Sequence, residues 1–301
     1  MKSLPRLLFA VTFWCAACTS PAADDVEQSA DALVTNPEAR LRVVQCNLED
    51  GGRYTDGKGS VTYDTAKRFA TLMASTSVNG AAVIGMEEIW NDDEPRRLIA
   101  EKTGHEWKMR NYPQGIHGTG SGIAVLWRPD LVTMKEDFGT VDVATLDNGY
   151  VVRFGGALFE KNGTTREFGF FTGKLTWDGA TIGARSTDDE LRAAQARTLR
   201  TWVQSKMSAH PRSARIITMD MNGDHGTPVW DAMSEEYWDD DVADATHDSH
   251  YDLLLGKRYD YIWWDYDAGP RNTNGFYERP HRSEHFGSDH RFVWADVFLR
   301  N

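Results

Sequence analysis

The sequence predicts an α/β (α+β) fold in which two packed β-sheets are flanked by helices. Apolar, β-branched and aromatic runs of strand length recur along the chain and are separated by amphipathic helical segments. So many strands bury their apolar faces most readily as two packed sheets, with helices covering the outer faces. The 301 residues, 41% of them hydrophobic, are enough for one large domain of this kind.

Eight runs have the length and composition of β-strands. Several are apolar throughout, as expected where a strand is buried on both faces. Asn162-Gly163 separates two of the runs and predicts a tight hairpin turn, because both residues readily adopt positive φ. The eight runs are 41–48, 81–90, 120–127, 150–160, 166–175, 214–222, 258–264 and 291–299.

Three segments have helical periodicity: one that starts at Asp64 or Thr65 and runs to Met73, then 94–103, then 186–207. Ser186 or Thr187 is the expected N-cap of the longest, since acidic residues follow in its first turn. Its expected apolar stripe consists of Leu191, Ala194, Leu199, Trp202 and Val203. Its expected solvated face carries Arg192, Arg197 and Arg200.

The first 18 residues have the pattern of a secretory signal peptide. Lys2 and Arg6 precede an apolar run that ends in Ala16-Ala17-Cys18, and the run is too short to span a membrane. Ala16-Ala17-Cys18 resembles a lipobox, which would leave a lipidated Cys18 at the mature N-terminus. Ordinary cleavage a few residues downstream is the alternative. We therefore expect a secreted or cell-envelope protein, periplasmic or extracellular, with or without a lipid anchor.

The rest of the chain divides into a tether and one domain. Residues 19–39 are rich in Ala, Asp, Ser and Pro and are expected to form a flexible tether. Residues 40–301 form the domain, without an internal repeat or a second hydrophobic unit, and we expect a monomer. Two of the three cysteines lie in the leader, so Cys46 has no partner for an internal disulfide and the fold must depend on its core.

The charge of the chain restricts its function. A net charge of −12 repels phosphate polymers and argues against a tight, metal-free DNA-binding module. A phosphate substrate would need a metal ion or a local basic cluster. Arg271, Arg279, His281 and Arg282 form one such cluster, although pairing with nearby glutamates explains them equally well. The acidic segment 235–241 is expected to be a solvated loop.

Polar residues lie at the ends of five predicted strands or, for Asp260, within one. Each has an ordinary structural explanation alone, but apolar strands otherwise avoid acids, and strand ends on one edge of a sheet converge in space. An acid next to an imidazole also suits metal and phosphate chemistry. The residues are Asn47, Glu88, Asp220 with Asn222, Asp260, and Asp289 with His290.

Four short motifs contain most of these residues in a fixed order. They are Gln45-Cys46-Asn47-Leu48, Met86-Glu87-Glu88-Ile89, Met219-Asp220-Met221-Asn222 and Ser288-Asp289-His290. The ordered set resembles the endonuclease/exonuclease/phosphatase superfamily of deoxyribonuclease I-like and exonuclease III-like metal-dependent phosphoesterases, over about 41–299. The resemblance implies a four-layered sandwich of two mostly antiparallel sheets between helices, and hydrolysis of phosphate esters.

The resemblance also implies a metal centre. Glu88, Asn47 and Asp289 would hold Mg²⁺, or Mn²⁺ or Ca²⁺ in its place, because hard cations prefer oxygen ligands. A zinc site made from His281, His285 and His290 is a weaker alternative, since their spacing is loose and no cysteine lies nearby.

The catalytic roles follow from the same resemblance. Asp220 would act as the base or orient the attacking water, and Asn222 would donate its amide to a phosphate oxygen. Asp260 would orient His290, which contacts the phosphoryl group. Lys174 stands where many members have a second catalytic histidine. A lysine does not shuttle protons near neutral pH unless its pKa falls far, but it could hold a phosphate oxygen.

These features together predict a secreted or surface-tethered nuclease that cleaves phosphodiester bonds, with nucleic acid as the expected partner. Three alternatives stay open. The substrate could be a phospholipid such as sphingomyelin, or a sugar phosphate. The chain could also be a catalytically inactive member that binds a partner or a surface glycan. The replacement of the second histidine by Lys174 and the many aromatic residues would suit this alternative.

Overall fold

The computed structural model describes residues 40–48, 54–55, 61–62, 64–75, 79–89, 93–113, 122–239, 258–265, 281–282, 290 and 292–299. The predictions for the leader, the tether, Asp289 and the arginines at 271 and 279 lie outside the described residues. Within them, no helix is both long enough and apolar enough to cross a membrane.

The strands of these ranges are β1 (Arg40–Asn47), β2 (Tyr54–Thr55), β3 (Val61–Thr62), β4 (Ala81–Ile89), β5 (Lys108–Tyr112), β6 (Gly122–Trp127), β7 (Val132–Thr145), β8 (Val151–Lys161), β9 (Glu167–Lys174), β10 (Thr181–Ile182), β11 (Arg185–Ser186), β12 (Ala214–Asp220), β13 (Trp238–Asp239), β14 (Asp260–Trp264), β15 (His281–Arg282) and β16 (Val293–Phe298). The helices are α1 (Asp64–Met73), α2 (Glu94–Thr103), α3 (Asp189–Met207) and α4 (Pro228–Ser234).

Two six-stranded sheets form the centre of the fold. The first has the order β15-β16-β1-β4-β6-β5 and the second has the order β13-β14-β12-β9-β8-β7. Each contains one parallel pair, β1 with β4 and β9 with β12, and its other neighbours are antiparallel. The mostly antiparallel sheets predicted above are therefore confirmed.

Alternation along the strands produces four layers. Val43 faces the second sheet and packs in a cluster with Phe170 and Ile216, whereas its neighbour Val44 faces outward and packs with Phe69 of α1. Leu98 and Ile99 of α2 join that outer cluster. On the other side, Leu199 and other apolar residues of α3 and α4 cover Ile217 and Met219 of the second sheet. The order helices, sheet, sheet, helices confirms the four-layered sandwich.

The sheets approach each other closely beneath the strand ends that carry the polar residues. A Cβ atom on Gly85 of β4 would lie 1.9 Å from Thr218 Oγ1 and 2.4 Å from Thr172 Oγ1 of the second sheet. No side chain fits into such a space, so glycine at this position allows the two sheets to meet. Two residues later in β4, Glu87 reaches across the same gap to Thr172.

Some local predictions were wrong. The N-cap of α3 is Asp188, which accepts a hydrogen bond from the Leu191 amide at 2.9 Å, and not Ser186 or Thr187. Ala194 is exposed and Arg192 is buried, so the apolar stripe is rotated from the predicted one. Arg192 folds back onto Asp178 and Asp189, which compensate its charge.

The sequence also missed strands at the sheet edges. β5 and β7 lie at the edges of the two sheets and are largely polar, because much of each strand faces solvent. The acidic segment 235–241 was predicted as a solvated loop, yet it contains the short strand β13, while Glu235 and Glu236 are exposed and pair with Arg200.

Candidate active site

Strand register brings the predicted residues of the second sheet together. Asp220 at the end of β12 lies opposite Asp260 of β14 on one side and Lys174 of β9 on the other. In the first sheet, Asn47 at the end of β1 lies opposite Glu87, next to Glu88. Because the two sheets pack face to face, these strand ends form one cluster at one edge of the sandwich.

Asn47 is the residue through which the two sheets connect at this edge. Its Nδ2 donates to Glu88 Oε1 at 3.2 Å and to Asp220 Oδ2 at 3.0 Å, and it lies 3.4 Å from Nε2 of His290. The side chain is fully buried. One amide therefore fixes the relative positions of two carboxylates and an imidazole.

Asp260 and His290 form the buried pair that the sequence predicted. His290 Nδ1 lies 2.8 Å from Asp260 Oδ2, and the residues are 5% and 0% exposed. A carboxylate only accepts hydrogen bonds, so the proton of this contact belongs to Nδ1. The other nitrogen, Nε2, lies 4.0 Å from Asp220 Oδ2. The imidazole is therefore oriented by one aspartate with its second nitrogen near the other.

Behind this pair lies a polar network to which the sequence analysis gave no role. Gln45 Nε2 donates to Asp260 Oδ1 at 2.7 Å and to Glu87 Oε2 at 2.9 Å, and Thr172 Oγ1 donates to Glu87 Oε1 at 2.7 Å. Burial raises the pKa of Glu87 well above its ordinary value, and repulsion from Asp260 raises it further. One signal was available in the sequence: Gln45 is two residues before Asn47 in a strand, so both side chains project from the same face.

Glu88 and Lys174 form an ion pair at the outer side of the cluster. Lys174 Nζ lies 2.6 Å from Glu88 Oε1. Burial alone would raise the pKa of Glu88, but the ammonium of Lys174 outweighs it, and the pKa falls to about 2. Glu88 also has φ of 52°, a left-handed conformation that is unusual for a residue other than glycine. Such backbone strain often accompanies a functional site.

Lys174 stays charged in this environment. Burial favours the neutral amine, yet the adjacent Glu88 carboxylate overcomes it and raises the pKa of Lys174. The ring of Trp177 lies 5.0 Å from Nζ, and Tyr150 meets that ring edge-on at 5.6 Å. Lys174 therefore supplies a fixed positive charge, which excludes it as a proton shuttle near neutral pH.

The loop after Lys174 is held by helix α3. Gln195 accepts a hydrogen bond from the Thr176 amide at 3.1 Å, and Arg192 donates to the Thr176 carbonyl at 3.3 Å. Both side chains are buried although they lie on a helix surface. The sequence alone predicted neither contact.

Asp220 lies between these groups, and its carboxyl is less acidic than that of an ordinary aspartate. Burial raises its pKa to about 6, and repulsion from Asp260 adds to the effect, although the positive charge that His290 can carry opposes it. Asn222, with φ of 49°, donates its backbone amide to Asp220 Oδ1 at 3.0 Å. Its side-chain amide donates to the Leu175 carbonyl at 3.0 Å and to Asp220 Oδ2 at 3.2 Å. In this conformation Asn222 holds Asp220 in place.

The donor set fits a hard divalent cation. Glu88 and Asp220 accept hydrogen bonds from the same amide nitrogen of Asn47, so an oxygen atom of each carboxylate lies close to the Asn47 side chain. Ligand atoms of Asp220, Asp260 and His290 also lie within 4.8 Å of one another, all buried. An oxygen-rich cluster with an excess of acids is suited to Mg²⁺ or Ca²⁺ rather than to a soft metal. The further ligand expected at Asp289 lies outside the described residues.

Comparison with known proteins shows the fold. No family model and no curated protein sequence matches the chain. Among solved structures, an endonuclease/exonuclease/phosphatase family protein from Bacteroides thetaiotaomicron matches with a TM-score of 0.64 at 16% identity, over 86% of this chain and 98% of the other. The mannosyl-6-phosphatase of the same species matches with 0.63 at 16% identity, over 86% and 100%. The human Nocturnin catalytic domain matches with 0.57 at 13% identity, over 87% and 95%.

Proposed function

We propose that this chain, which has the fold of the endonuclease/exonuclease/phosphatase proteins, hydrolyses phosphate esters with the help of a divalent cation and cleaves phosphodiester bonds. The observation that supports it best is the convergence of Glu88, Asp220 and the Asp260–His290 pair around the Asn47 amide. Structural proteins rarely bury so many acids in one cluster, because each loses its hydration.

Glu88 and Asn47 would hold the cation, which we propose to be Mg²⁺ or, in its place, Mn²⁺ or Ca²⁺, with Asp289 as a further ligand. When bound, such a cation polarises a phosphoryl oxygen and offsets the negative charge of the transition state. The residues of the chain would carry out the proton chemistry and the positioning.

Asp220 is the proposed base. A carboxylate with a pKa of about 6 accepts a proton from water more readily than an ordinary aspartate and is still ionised at neutral pH. Asn222 and Asn47 keep its two oxygens in place. His290, oriented by Asp260, would contact the phosphoryl group through Nε2. Lys174 would supply positive charge near the phosphate.

For the substrate we propose a phosphodiester, with nucleic acid as the first choice. Two structures of the same fold are the mannosyl-6-phosphatase and a zebrafish TDP2 complexed with a single-stranded DNA product, which matches with a TM-score of 0.54 at 14% identity. The fold therefore accommodates both monoesters and nucleic acid. The net charge of −12 favours a small sugar phosphate as the second candidate, because it repels a polyanion.

A substrate panel with Mg²⁺ and with EDTA tests this proposal. It contains plasmid DNA, RNA, sphingomyelin, bis-p-nitrophenyl phosphate, p-nitrophenyl phosphate and mannose 6-phosphate. We expect hydrolysis that EDTA abolishes and that is faster for diesters than for monoesters. The Glu88→Ala variant should lose this activity, whereas Glu160→Gln, which changes a surface acid of β8, should keep it.

Each other outcome of the panel has a definite meaning. Activity that EDTA leaves intact would contradict the role of the cation. A preference for mannose 6-phosphate would favour the second candidate. Folded protein without turnover on any substrate would favour the inactive, partner-binding alternative.

We also propose export through the leader, followed by secretion or by tethering at Cys18. Fractionation of cells that express wild type and Cys18→Ser tests the tether. A membrane-bound wild type and a released variant are expected if Cys18 is lipidated. Equal release of both proteins would refute lipidation and leave ordinary cleavage.

A further inference from the structure

The ammonium of Lys174 lies directly beside Glu88, the carboxylate that is proposed to hold the cation. Its Nζ lies 2.6 Å from Glu88 Oε1, and only 7% of its side chain is exposed. On another side, the centroid of the Trp177 ring is 5.0 Å from Nζ. A carboxylate and an aromatic face both attract an ammonium, so Lys174 is held in place and does not behave as a mobile surface lysine.

The ion pair occupies one of the two oxygen atoms that Glu88 can offer to a cation. Oε1 of Glu88 accepts from Lys174 and also from Asn47 Nδ2, at 3.2 Å. Because a carboxylate oxygen offers about two lone-pair directions, these two donors fill the capacity of Oε1. A cation that coordinates Oε1 has to take the place of one of them.

Charge decides which donor leaves. An ammonium and a divalent cation repel each other, and the repulsion is strong in a partly buried site, where water screens it poorly. The amide of Asn47 is neutral, and its second contact with Asp220 keeps it in place. The ammonium of Lys174 is therefore the group that a divalent cation displaces.

We propose that Lys174 is a resident counter-ion of Glu88 that competes with the divalent cation for this carboxylate, and that metal binding releases its ammonium. The inference rests on the proposed function, since it takes from it a cation at Glu88. It goes further by assigning Lys174 control over metal affinity. The affinity should be weaker than the oxygen ligands alone would give, and charge at position 174 should set it.

Calorimetric titration of the full-length protein with Mn²⁺ tests the competition directly. We expect Lys174→Met to bind Mn²⁺ at least about tenfold more tightly than wild type, because a like charge beside the ion is removed. Lys174→Arg keeps the charge and should stay close to wild type. Lys135→Met is the matched control, because it also removes the charge of a lysine that forms an ion pair. Lys135 of β7 pairs with Glu160 of β8. Lys174→Gln serves as a second neutral variant if Lys174→Met does not fold.

Chemical labelling tests the release of the ammonium. An amine-reactive acetylating reagent should modify Lys174 slowly in metal-free protein and faster with saturating Mn²⁺, as measured by mass spectrometry of peptides. Labelling of Lys135 should not change with Mn²⁺. Equal labelling of Lys174 with and without Mn²⁺ would show that the ion pair survives metal binding and would overturn the inference.

The outcomes separate this inference from the proposed function. If wild type hydrolyses its substrate only with metal, yet neutral variants at position 174 bind Mn²⁺ no more tightly, the inference fails and the function stands. If neither wild type nor the neutral variants at position 174 bind Mn²⁺, and hydrolysis resists EDTA, the inference and the proposed function both fail.

Discussion

Two halves of the candidate site differ in how they hold charge. The inner half consists of Asp260, His290, Gln45 and Glu87, and the outer half is the pair Glu88–Lys174. The inner residues are at most 5% exposed, and a continuous chain of hydrogen bonds links them. In the outer pair, 19% of the Glu88 side chain is exposed, whereas the side chain of Lys174, at 7%, is as buried as that of His290. A single direct contact joins the two charges of this pair. The comparison shows a continuous hydrogen-bonded network beside a partly exposed ion pair, and the ion pair is the part that we propose to be exchangeable.

The adjacent residues Glu87 and Glu88 show why the halves differ. Glu87 lies between the sheets, where burial raises its pKa far above the ordinary value. Glu88 follows it directly in β4, but its φ of 52° departs from extended backbone and its side chain reaches Lys174. There the ammonium lowers the pKa to about 2. One backbone conformation therefore separates a fully buried acid with a raised pKa from an ionised acid at the edge of the cluster.

The largest expected effect is on kcat and comes from substituting Asp260 or His290, the central pair of the inner half. Asp260→Ala and His290→Ala should each lower kcat by roughly 10²–10⁴-fold, the range for a positioned acid–base group. If Asp260 acts through His290, the double variant should cost little more than the worse single one, because the two work as a unit. Steady-state kinetics on the three variants measures this coupling.

Metal affinity should stay nearly constant in these variants, because the proposed ligands Glu88 and Asn47 are intact. Fully multiplicative losses in kcat would contradict the coupling and leave His290 without its partner. Asp260→Asn with reduced thermal stability but near-normal kcat would make Asp260 a purely structural acid.

A smaller effect is expected in the pH dependence of folding stability, where Asp220 and Glu88 should act in opposite directions. The folded-state pKa of Asp220 is raised to about 6, so the folded protein binds this proton more tightly than the unfolded chain does. The contribution of Asp220 to folding stability should therefore fall as pH rises from about 4 to 6, by on the order of 3 kcal/mol, and stay lower above pH 6. Urea unfolding of wild type and Asp220→Asn from pH 4 to 8 measures it. A stability difference that does not change with pH would contradict the raised pKa.

The contribution of Glu88 to folding stability should depend on pH in the opposite direction. Its folded-state pKa is depressed to about 2, so its contribution is present above the ordinary value of 4.5 and is lost as pH falls toward 2. Wild type should lose more stability than Glu88→Gln over that range. Lys174→Met should remove most of this difference, because Lys174 is the main group that lowers the pKa.

The smallest effect should come from Gln45, which supports Asp260 from the side away from His290. Gln45→Met keeps the size of the side chain but removes the donor to Asp260 Oδ1, and should lower kcat by about 10-fold with little change in KM, as expected when a supporting hydrogen bond is lost. Thr172→Val is the matched control: it is equally buried and contacts Glu87 but not Asp260, so kcat should hold while stability drops. Equal effects of both variants on kcat would refute a relay through Gln45.

The sequence was sufficient for the fold class and for most of the residues that the structure brings together in the candidate site. Asn47, Glu88, Asp220, Asp260 and His290 could be predicted because acids and amides at the ends of apolar strands are visible without knowing which strands are neighbours. β5 and β7 could not, because an edge strand with a solvated face lacks the apolar pattern of a buried one. Arg192 was misplaced because a long side chain can fold back over its helix to buried partners, and helical periodicity does not show this.

Only the tertiary structure decided how these residues are paired. Lys174 and Glu88 lie on β9 and β4, which belong to different sheets, and their contact depends on the register within each sheet and on the packing between the sheets. The same holds for Gln45 with Asp260 and for Glu87 with Thr172. A one-residue change of register would turn each of these side chains to the opposite face. The sequence therefore determined which chemical groups the candidate site contains. The packing of the two sheets determined which of these groups contact each other.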